Sequence, residues 1–99
     1  MILKRKNRYV LIEASKPLDA TDRDTWSEIR AEMLKFLGEK AYVDANPFLV
    51  GQVDGSRFIF RVSRNTERQV ILALAFIKRA KALQVGFYTL KTSGTIKAL

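Results

Sequence analysis

The chain has 99 residues, 47% of them hydrophobic, and 18 lysines and arginines against 10 acidic residues. This length suits one domain with its own core, and no apolar run approaches the ~20 residues that a membrane span requires. The chain contains no cysteine and no histidine. These absences exclude disulfides, zinc–thiolate sites and the usual general bases of neutral-pH catalysis, and they favour a cytoplasmic location.

The positive charge is concentrated in two parts of the chain. Residues 57–99 contain nine basic residues and one acid, a net of +8, and residues 1–12 contain four basic residues. Residues 13–56 contain five basic residues and nine acids, a net of −4. Two basic parts around an acidic middle predict a surface for polyanions, built where the start and the second half of the chain meet.

The first half of the chain predicts a strand followed by a helix. Residues 8–13 are a β-rich run, and the polar cluster of residues 15–19 ends it. Thr21 or Asp22 then caps a helix that ends at Gly38. The apolar residues of this helix fall on one stripe, which consists of Trp26, Ile29, Met33, Phe36 and Leu37.

The second half predicts a hairpin, a helix and a last strand. Residues 48–53 and 57–62 read as strands, and Asp54-Gly55 between them predicts a two-residue turn. Asn65 is the expected cap of the second helix, with Glu67 in its first turn. We expect its inward residues to be Val70, Ile71, Ala73, Leu74, Ile77 and Ala80. Residues 83–91 read as the final strand.

The predicted order β-α-β-β-α-β defines an α+β, ferredoxin-like fold of the RNA-recognition type. Right-handed crossovers give an antiparallel sheet in the order 4-1-3-2, with both helices on one face. This order places strand two at an edge, where Pro47 removes no required hydrogen bond. We expect a basic N-terminal arm over residues 1–7 and a single RNA-binding domain over residues 8–99.

Strand three decides which side chains face the helices. Phe58, Phe60 and Val62 are its more apolar set, so we expect them beneath the helices. The open face then receives Arg57, Ile59, Arg61 and Ser63. RNA-recognition domains stack bases on open-face aromatics, but this strand lacks the glycine of their signature, which favours a core role for the two phenylalanines. The sequence is equally compatible with two roles for Tyr9 and Tyr88, ordinary sheet packing and RNA contact.

The carboxylates give no sign of an active site. The largest group, four of the ten, lies at helical spacing in the first helix and consists of Asp22, Asp24, Glu28 and Glu32. A solvated helix face explains this spacing better than a catalytic or Mg²⁺-binding pair does. We therefore expect no catalytic residue, no metal site and no cofactor in this chain.

Five short segments carry a resemblance to a known family. They are Arg8-Tyr9, Pro47-Phe48, Arg61-Val62-Ser63-Arg64 with Leu72-Ala73-Leu74-Ala75 in the helix after it, and Ser93-Gly94-Thr95-Ile96-Lys97. With these segments the chain resembles, over about residues 8 to 99, the small protein subunit of ribonuclease P that is called component 2 in archaea.

The resemblance implies a place in a ribonucleoprotein enzyme. Members of this family resemble RNA-recognition domains in fold, pair with a second subunit shaped like a TIM barrel and form a dimer of such pairs. They bind ribonuclease P RNA, which uses Mg²⁺ to remove the 5′ leader from precursor tRNA. A chain without catalytic residues suits that division of labour.

The candidate RNA contacts are basic or phosphate-binding residues. They are Arg57, Arg61, Arg64, Arg68, Thr95, Lys97 and the arm residues Lys4, Arg5, Lys6 and Arg8. Arg64 and Arg68 flank the start of the second helix, where the dipole favours a phosphate; Arg68 alternatively pairs with Glu67. The last turn of that helix adds Lys78, Arg79 and Lys81, which the helix dipole favours regardless of function.

Two other function classes stay open. An independent single-strand RNA-binding protein predicts exposed aromatics on the open sheet face. A regulatory or metabolic domain that binds a small anion is compatible with the basic charge. The acidic side chains of the first helix predict a surface that faces solvent or a basic protein partner rather than RNA.

Overall fold

The computed structural model describes residues 7–77 and 86–99. Its strands are β1 (Asn7–Ala14), β2 (Phe48–Gln52), β3 (Arg57–Ser63) and β4 (Phe87–Ser93). Its helices are α1 (Arg23–Leu37), α2 (Glu39–Ala45) and α3 (Glu67–Phe76), followed by a short 3-10 turn at Ile96–Ala98. The predicted ferredoxin-like order is confirmed, with α2 as an additional helix.

The four strands form one sheet in the order β2-β3-β1-β4, and every neighbouring pair is antiparallel. This is the predicted order, and it leaves β2 at an edge, where Pro47 precedes its first residue. β1 and β3 are central because each pairs on both sides. The sheet therefore brings the first strand of the chain directly beside the basic second half.

One hydrophobic core lies between the sheet and the helices α1 and α3. Phe58, Phe60 and Val62 of β3 are fully buried, as predicted. Val10 and Ile12 of β1 join them in the same cluster. The helices contribute Ile29 and Met33 from α1 and Val70, Ala73 and Leu74 from α3. Both helices thus cover one face of the sheet, and no helix among the described residues covers the other, open face.

The ends of α1 follow the predicted signals. The Asp22 carboxylate accepts a hydrogen bond from the backbone N–H of Thr25 at 3.1 Å and caps the helix. Gly38 ends it with φ of +83°, a conformation that glycine adopts without steric cost. One part of the predicted stripe was wrong, because Phe36 is 47% exposed while Ile29 and Met33 are buried.

Two helix signals in the middle of the chain differ from the prediction. The short helix α2 begins directly after Gly38 and is capped at its C-terminal end by Asn46, which has φ of +45°. The predicted cap of α3 was wrong, because the N-cap is Thr66 and Asn65 has φ of +72°. Asparagine tolerates this left-handed conformation, so Asn65 makes the turn that precedes the helix rather than its cap.

The loop between β2 and β3 is longer than the predicted two-residue turn. Gln52 pairs with Phe58, and the Val53 N–H donates to the Arg57 carbonyl at 2.8 Å. Within the loop, Asp54 Oδ1 accepts the N–H groups of Ser56 and Arg57, each at 3.0 Å. The aspartate side chain therefore supplies the acceptor that a two-residue turn takes from the backbone.

Asp54 makes a pH prediction possible. The Ser56 N–H, with a smaller contribution from Arg57, holds its pKa below the usual 3.8. A lowered pKa means that the ionised Asp54 carboxylate stabilises the folded loop. This contribution to folding stability is fully present above the ordinary pKa, and it is lost as the pH falls through the lowered pKa. We expect an NMR titration to place the Asp54 midpoint below 3.8.

The Arg57→Gln variant should raise the Asp54 midpoint only partly, since the Ser56 hydrogen bond remains. The control Arg23→Gln removes an equal charge elsewhere and should leave it unchanged. A midpoint at or above 3.8 in the natural protein would contradict the observed loop geometry.

Two predictions about the strands also need correction. Ser63 has the register of the open face, opposite Asn7, but is only 6% exposed, and its carbonyl accepts the Thr66 N–H. The last strand extends from Phe87 to Ser93 rather than over residues 83–91. Residues 83–85 and Ala80, to which a strand and an inward position were assigned, lie outside the described residues.

Candidate nucleic-acid interface

Four chain segments converge at one end of the sheet. Asn7 opposes Ser63, so β1 begins where β3 ends. Tyr9 opposes Ser93, so β4 ends there too. Only three residues separate the end of β3 from the start of helix α3. The strand register therefore brings the start of the chain, the start of α3 and the segment after β4 to the same place.

Most of the predicted RNA contacts lie at this end. We call it the basic end, and it comprises Arg8, Arg61, Arg64, Arg68, Thr95 and Lys97. Five of these six residues are cations, and the acid Glu67 beside Arg8 brings the local net charge to +4. Arg64, Arg68, Thr95 and Lys97 are exposed. Lys4, Arg5 and Lys6 lie outside the described residues, as do Lys78, Arg79 and Lys81.

Arg8 lies in β1 and not in a solvated arm as expected. Its Nε lies 3.9 Å from Glu67 Oε1 in the first turn of α3. On its other side, a Cβ added to Gly94 would lie 3.3 Å from Arg8 Nη1. The Arg8 guanidinium thus lies beside Glu67 of α3 and close to Gly94 in the segment after β4.

The start of α3 presents two arginines to solvent. The expected alternative of an Arg68–Glu67 pair is wrong, because Glu67 faces Arg8 instead. Across residues 7–77 and 86–99, neither Arg64 nor Arg68 takes part in an ion pair. Their charges are therefore not neutralised by a described neighbour.

A hydrogen bond from the backbone to a neighbouring side chain stabilises the turn after β4. The Thr95 N–H donates to Ser93 Oγ at 3.2 Å, so this N–H is already engaged. The Thr95 N–H is therefore not free to bind an anion in this conformation. The exposed Thr95 hydroxyl and Lys97 ammonium are the groups that this turn offers to an anion.

The structure separates Arg57 from the other candidates. It opens β3 at the far end, opposite Glu13 of β1. Its Nε also lies 2.8 Å from Asp54 Oδ2. Four residues along β3 separate it from Arg61, a distance of about 13 Å at ~3.3 Å per residue. Two nearby carboxylates and this distance place Arg57 outside the basic end.

Arg61 bridges the basic end and the open sheet face. Its guanidinium carbon lies 4.6 Å from the centre of the Phe48 ring on β2. On its other side it opposes Tyr9 of β1. Sequence analysis did not name Phe48 as a candidate RNA contact, because its register with Arg61 depends on an irregularity between Leu49 and Gly51.

Comparison with known proteins places this geometry in a family. Residues 8–99 match the Rpp14/Pop5 family. The chain belongs to the Rpp14/Pop5 family. It is also 27% identical over 97 residues to ribonuclease P protein component 2 of the archaeon Methanocorpusculum labreanum. That alignment covers 98% of this chain but 65% of the relative, so the chain spans about two thirds of the relative's length.

This Rpp14/Pop5 match confirms the resemblance seen in the sequence. It begins at Arg8, the second residue of β1, and includes every described residue of the basic end. In the part of this Rpp14/Pop5 chain that the structure describes, no helix is long and apolar enough to cross a membrane. Nor do the described residues contain a group of three or more acidic side chains placed to hold a metal ion.

Proposed function

We propose that this chain is a protein subunit of ribonuclease P, which binds the catalytic RNA through the basic end and stabilises its active shape. The holoenzyme would act as an endonuclease that hydrolyses the 5′ leader from precursor tRNA. Family membership and the name of the archaeal relative support this proposal. The observation that carries it is the convergence of five cations from two strands, the start of α3 and the turn after β4 at a single end of the sheet.

The proposed contribution of the chain is electrostatic. Each lysine or arginine that meets a phosphate releases counterions, and this release drives association. Exposed guanidiniums at the start of α3 also offer paired donors to phosphate oxygens. Mg²⁺ would be used by the partner RNA and not held by this chain. The side chains of the basic end would thus compensate phosphate repulsion within a folded RNA.

The alternative of an independent domain that stacks RNA on strand three loses its main support. Phe58 and Phe60 are fully buried beneath the helices and packed on each other, with ring centres 5.1 Å apart. Neither ring is accessible to a base. We therefore favour one large folded RNA as the ligand over short unstructured RNA.

The helical side is the proposed protein-facing side. Helices α1 and α2 together carry five acids and four basic residues, so their surface is mixed rather than acidic. Exposed apolar side chains on these helices include Leu34 and Val43. A TIM-barrel-like ribonuclease P subunit, a dimer of heterodimers and precursor tRNA in the complex remain proposals from the resemblance. A cytoplasmic location likewise stays a prediction.

The test of the RNA assignment is a competition measurement. We expect the chain to bind an archaeal ribonuclease P RNA more tightly than a structured RNA of equal length at the same salt concentration. Equal affinity for both RNAs would reduce the basic end to a non-specific polyanion site and would argue against the subunit role. Tight binding to short unstructured RNA alone would favour the independent RNA binder.

Substitution of Glu67 should change RNA affinity in the opposite direction to substitution of the arginines. The Glu67→Gln variant releases Arg8 from its ion pair and removes a negative charge from the basic end. RNA affinity should therefore rise, and the salt dependence should steepen by somewhat under one counterion. The control Glu28→Gln removes an equal charge from α1 and should change neither quantity. A fall in affinity for a folded Glu67→Gln protein would mean that Glu67 holds Arg8 in its binding position.

A further inference from the structure

The open face of the sheet is organised in rows that cross the strands. The row that contains Arg61 of the basic end runs Phe48, Arg61, Tyr9 and Ser93, one residue from each strand. We call it the aromatic row. The next row runs Gly51, Ile59, Leu11 and Lys91, and the third contains Arg57, Glu13 and Tyr88. Opposed residues in antiparallel strands share a face, so each row lies on the uncovered side.

The aromatic row alternates flat π surfaces with a cation. Phe48 is 52% exposed, although the Arg61 guanidinium lies 4.6 Å from its ring centre. Arg61 thus anchors the ring on the sheet while much of its surface remains open. Tyr9 lies directly opposite Arg61 on β1 and is half-buried. Strands stand about 4.8 Å apart, so the row is about 14 Å long.

Space beside the row is open. A Cβ added to Gly51 would meet no atom within 4 Å. Gly51 opposes Ile59, and Ile59 opposes Leu11, which makes the centre of the next row apolar. A flat ring lying over the aromatic row would therefore meet side-chain surface beneath it and no obstruction at Gly51.

We propose that the aromatic row stacks unpaired nucleobases of the bound RNA, about two of them over its length. This inference rests on the proposed function and adds the kind of RNA element that the chain selects. Unpaired bases stack on aromatic rings and on arginine planes. The row is continuous with the basic end through Arg61 and Ser93, so phosphates on either side of a stacked base would meet Arg64 or Lys97.

The chemistry of the row favours RNA over a protein partner on this face. A protein that covered the row would bury the guanidinium of Arg61, which requires an acidic partner group. RNA supplies phosphates for the cations and π faces for the rings at the same time. Lys91 in the second row extends the positive charge along the same face.

Ultraviolet cross-linking tests the proposal directly. The chain is bound to an archaeal ribonuclease P RNA, irradiated at short wavelength, and the cross-linked peptides are identified by mass spectrometry. Stacked bases should cross-link to the peptides that contain Phe48 and Tyr9. Cross-links confined to Tyr88, or none at the row while binding is intact, would overturn the proposal. Protection of the row by an added protein subunit would also overturn it.

Substitutions separate stacking from charge. Phe48→Ala should lower RNA affinity roughly 5- to 150-fold, the usual effect of one lost stack. Arg61→Lys keeps the charge but loses the plane, so affinity should fall while the salt dependence stays unchanged. Tyr88→Ala removes an exposed aromatic about 13 Å away along the strands and serves as the control. Equal effects of Phe48→Ala and Tyr88→Ala would contradict the assignment.

Failure of the proposal is distinguishable from failure of the proposed function. If the chain does not bind ribonuclease P RNA, the proposed subunit role is contradicted, and the base-stacking proposal needs a separate test. Cross-linking to single-stranded oligouridylate then tests whether the aromatic row stacks bases independently of ribonuclease P RNA. A row that cross-links to this probe keeps its base-stacking role, and a row that does not loses it.

Discussion

Replacing Arg64, Arg68 and Lys97 together with glutamine is expected to flatten the salt dependence of RNA binding by about two to three counterions. Each phosphate contact contributes somewhat less than one unit to the slope of log K against log salt. All three side chains are exposed, and none is in an ion pair within the described parts of the chain. The free energy of unfolding should therefore change little.

A matched variant controls for net charge. Arg23, Lys35 and Lys40 lie on α1 and α2, are also exposed, and replacing them with glutamine removes the same three charges. We expect this variant to keep most of the salt dependence, since its three residues do not belong to the basic end. An equal flattening in both variants would show that overall charge drives binding. An unchanged slope in the first variant would remove its three residues from the interface.

Phe60→Ala is expected to lower the free energy of unfolding by about 3 to 5 kcal/mol. Phe60 is fully buried and packs against Trp26 and Phe58, with ring centres 5.1 Å apart in both pairs. Truncation leaves a cavity where α1 meets the sheet. In a domain of this size the midpoint of thermal unfolding should fall by roughly 12 °C or more. Thermal and denaturant unfolding measure both quantities.

Phe48→Ala is the matched control for this prediction. It removes the same ring from an exposed position on the edge strand, so we expect a loss of stability well below that of Phe60→Ala. The two variants should behave in opposite ways toward RNA, because only Phe48 lies on the open face. A folded Phe60→Ala protein with normal stability would mean that strand three presents its phenylalanines outward.

The fold was largely predictable because it depends on local patterns. Alternation in strand three assigned Phe58 and Phe60 to the core, and Asp22 and Gly38 marked the ends of α1 through simple capping chemistry. Helix α2 was missed because it has seven residues, of which Ala45 is buried, and thus shows little helical periodicity. Local signals do not identify a helix that short.

The candidate interface was less predictable because it depends on register. The uneven distribution of charge along the chain correctly indicated that its start and its second half meet. It did not show that Arg57 lies at the opposite end of β3 from Ser63, beside Glu13 and Asp54. Nor did it show that an irregularity in β2 sets Phe48 beside Arg61. Pairing between distant strands determines such neighbours, and composition does not encode it.

The most direct test of the account is cleavage of precursor tRNA at limiting Mg²⁺ by an archaeal ribonuclease P RNA with its TIM-barrel-like protein subunit. The reaction is run with and without this chain. We expect the chain to stimulate removal of the 5′ leader and the variant that lacks Arg64, Arg68 and Lys97 to stimulate it less. No stimulation by the folded chain, with the other components shown to be active, would contradict the subunit role.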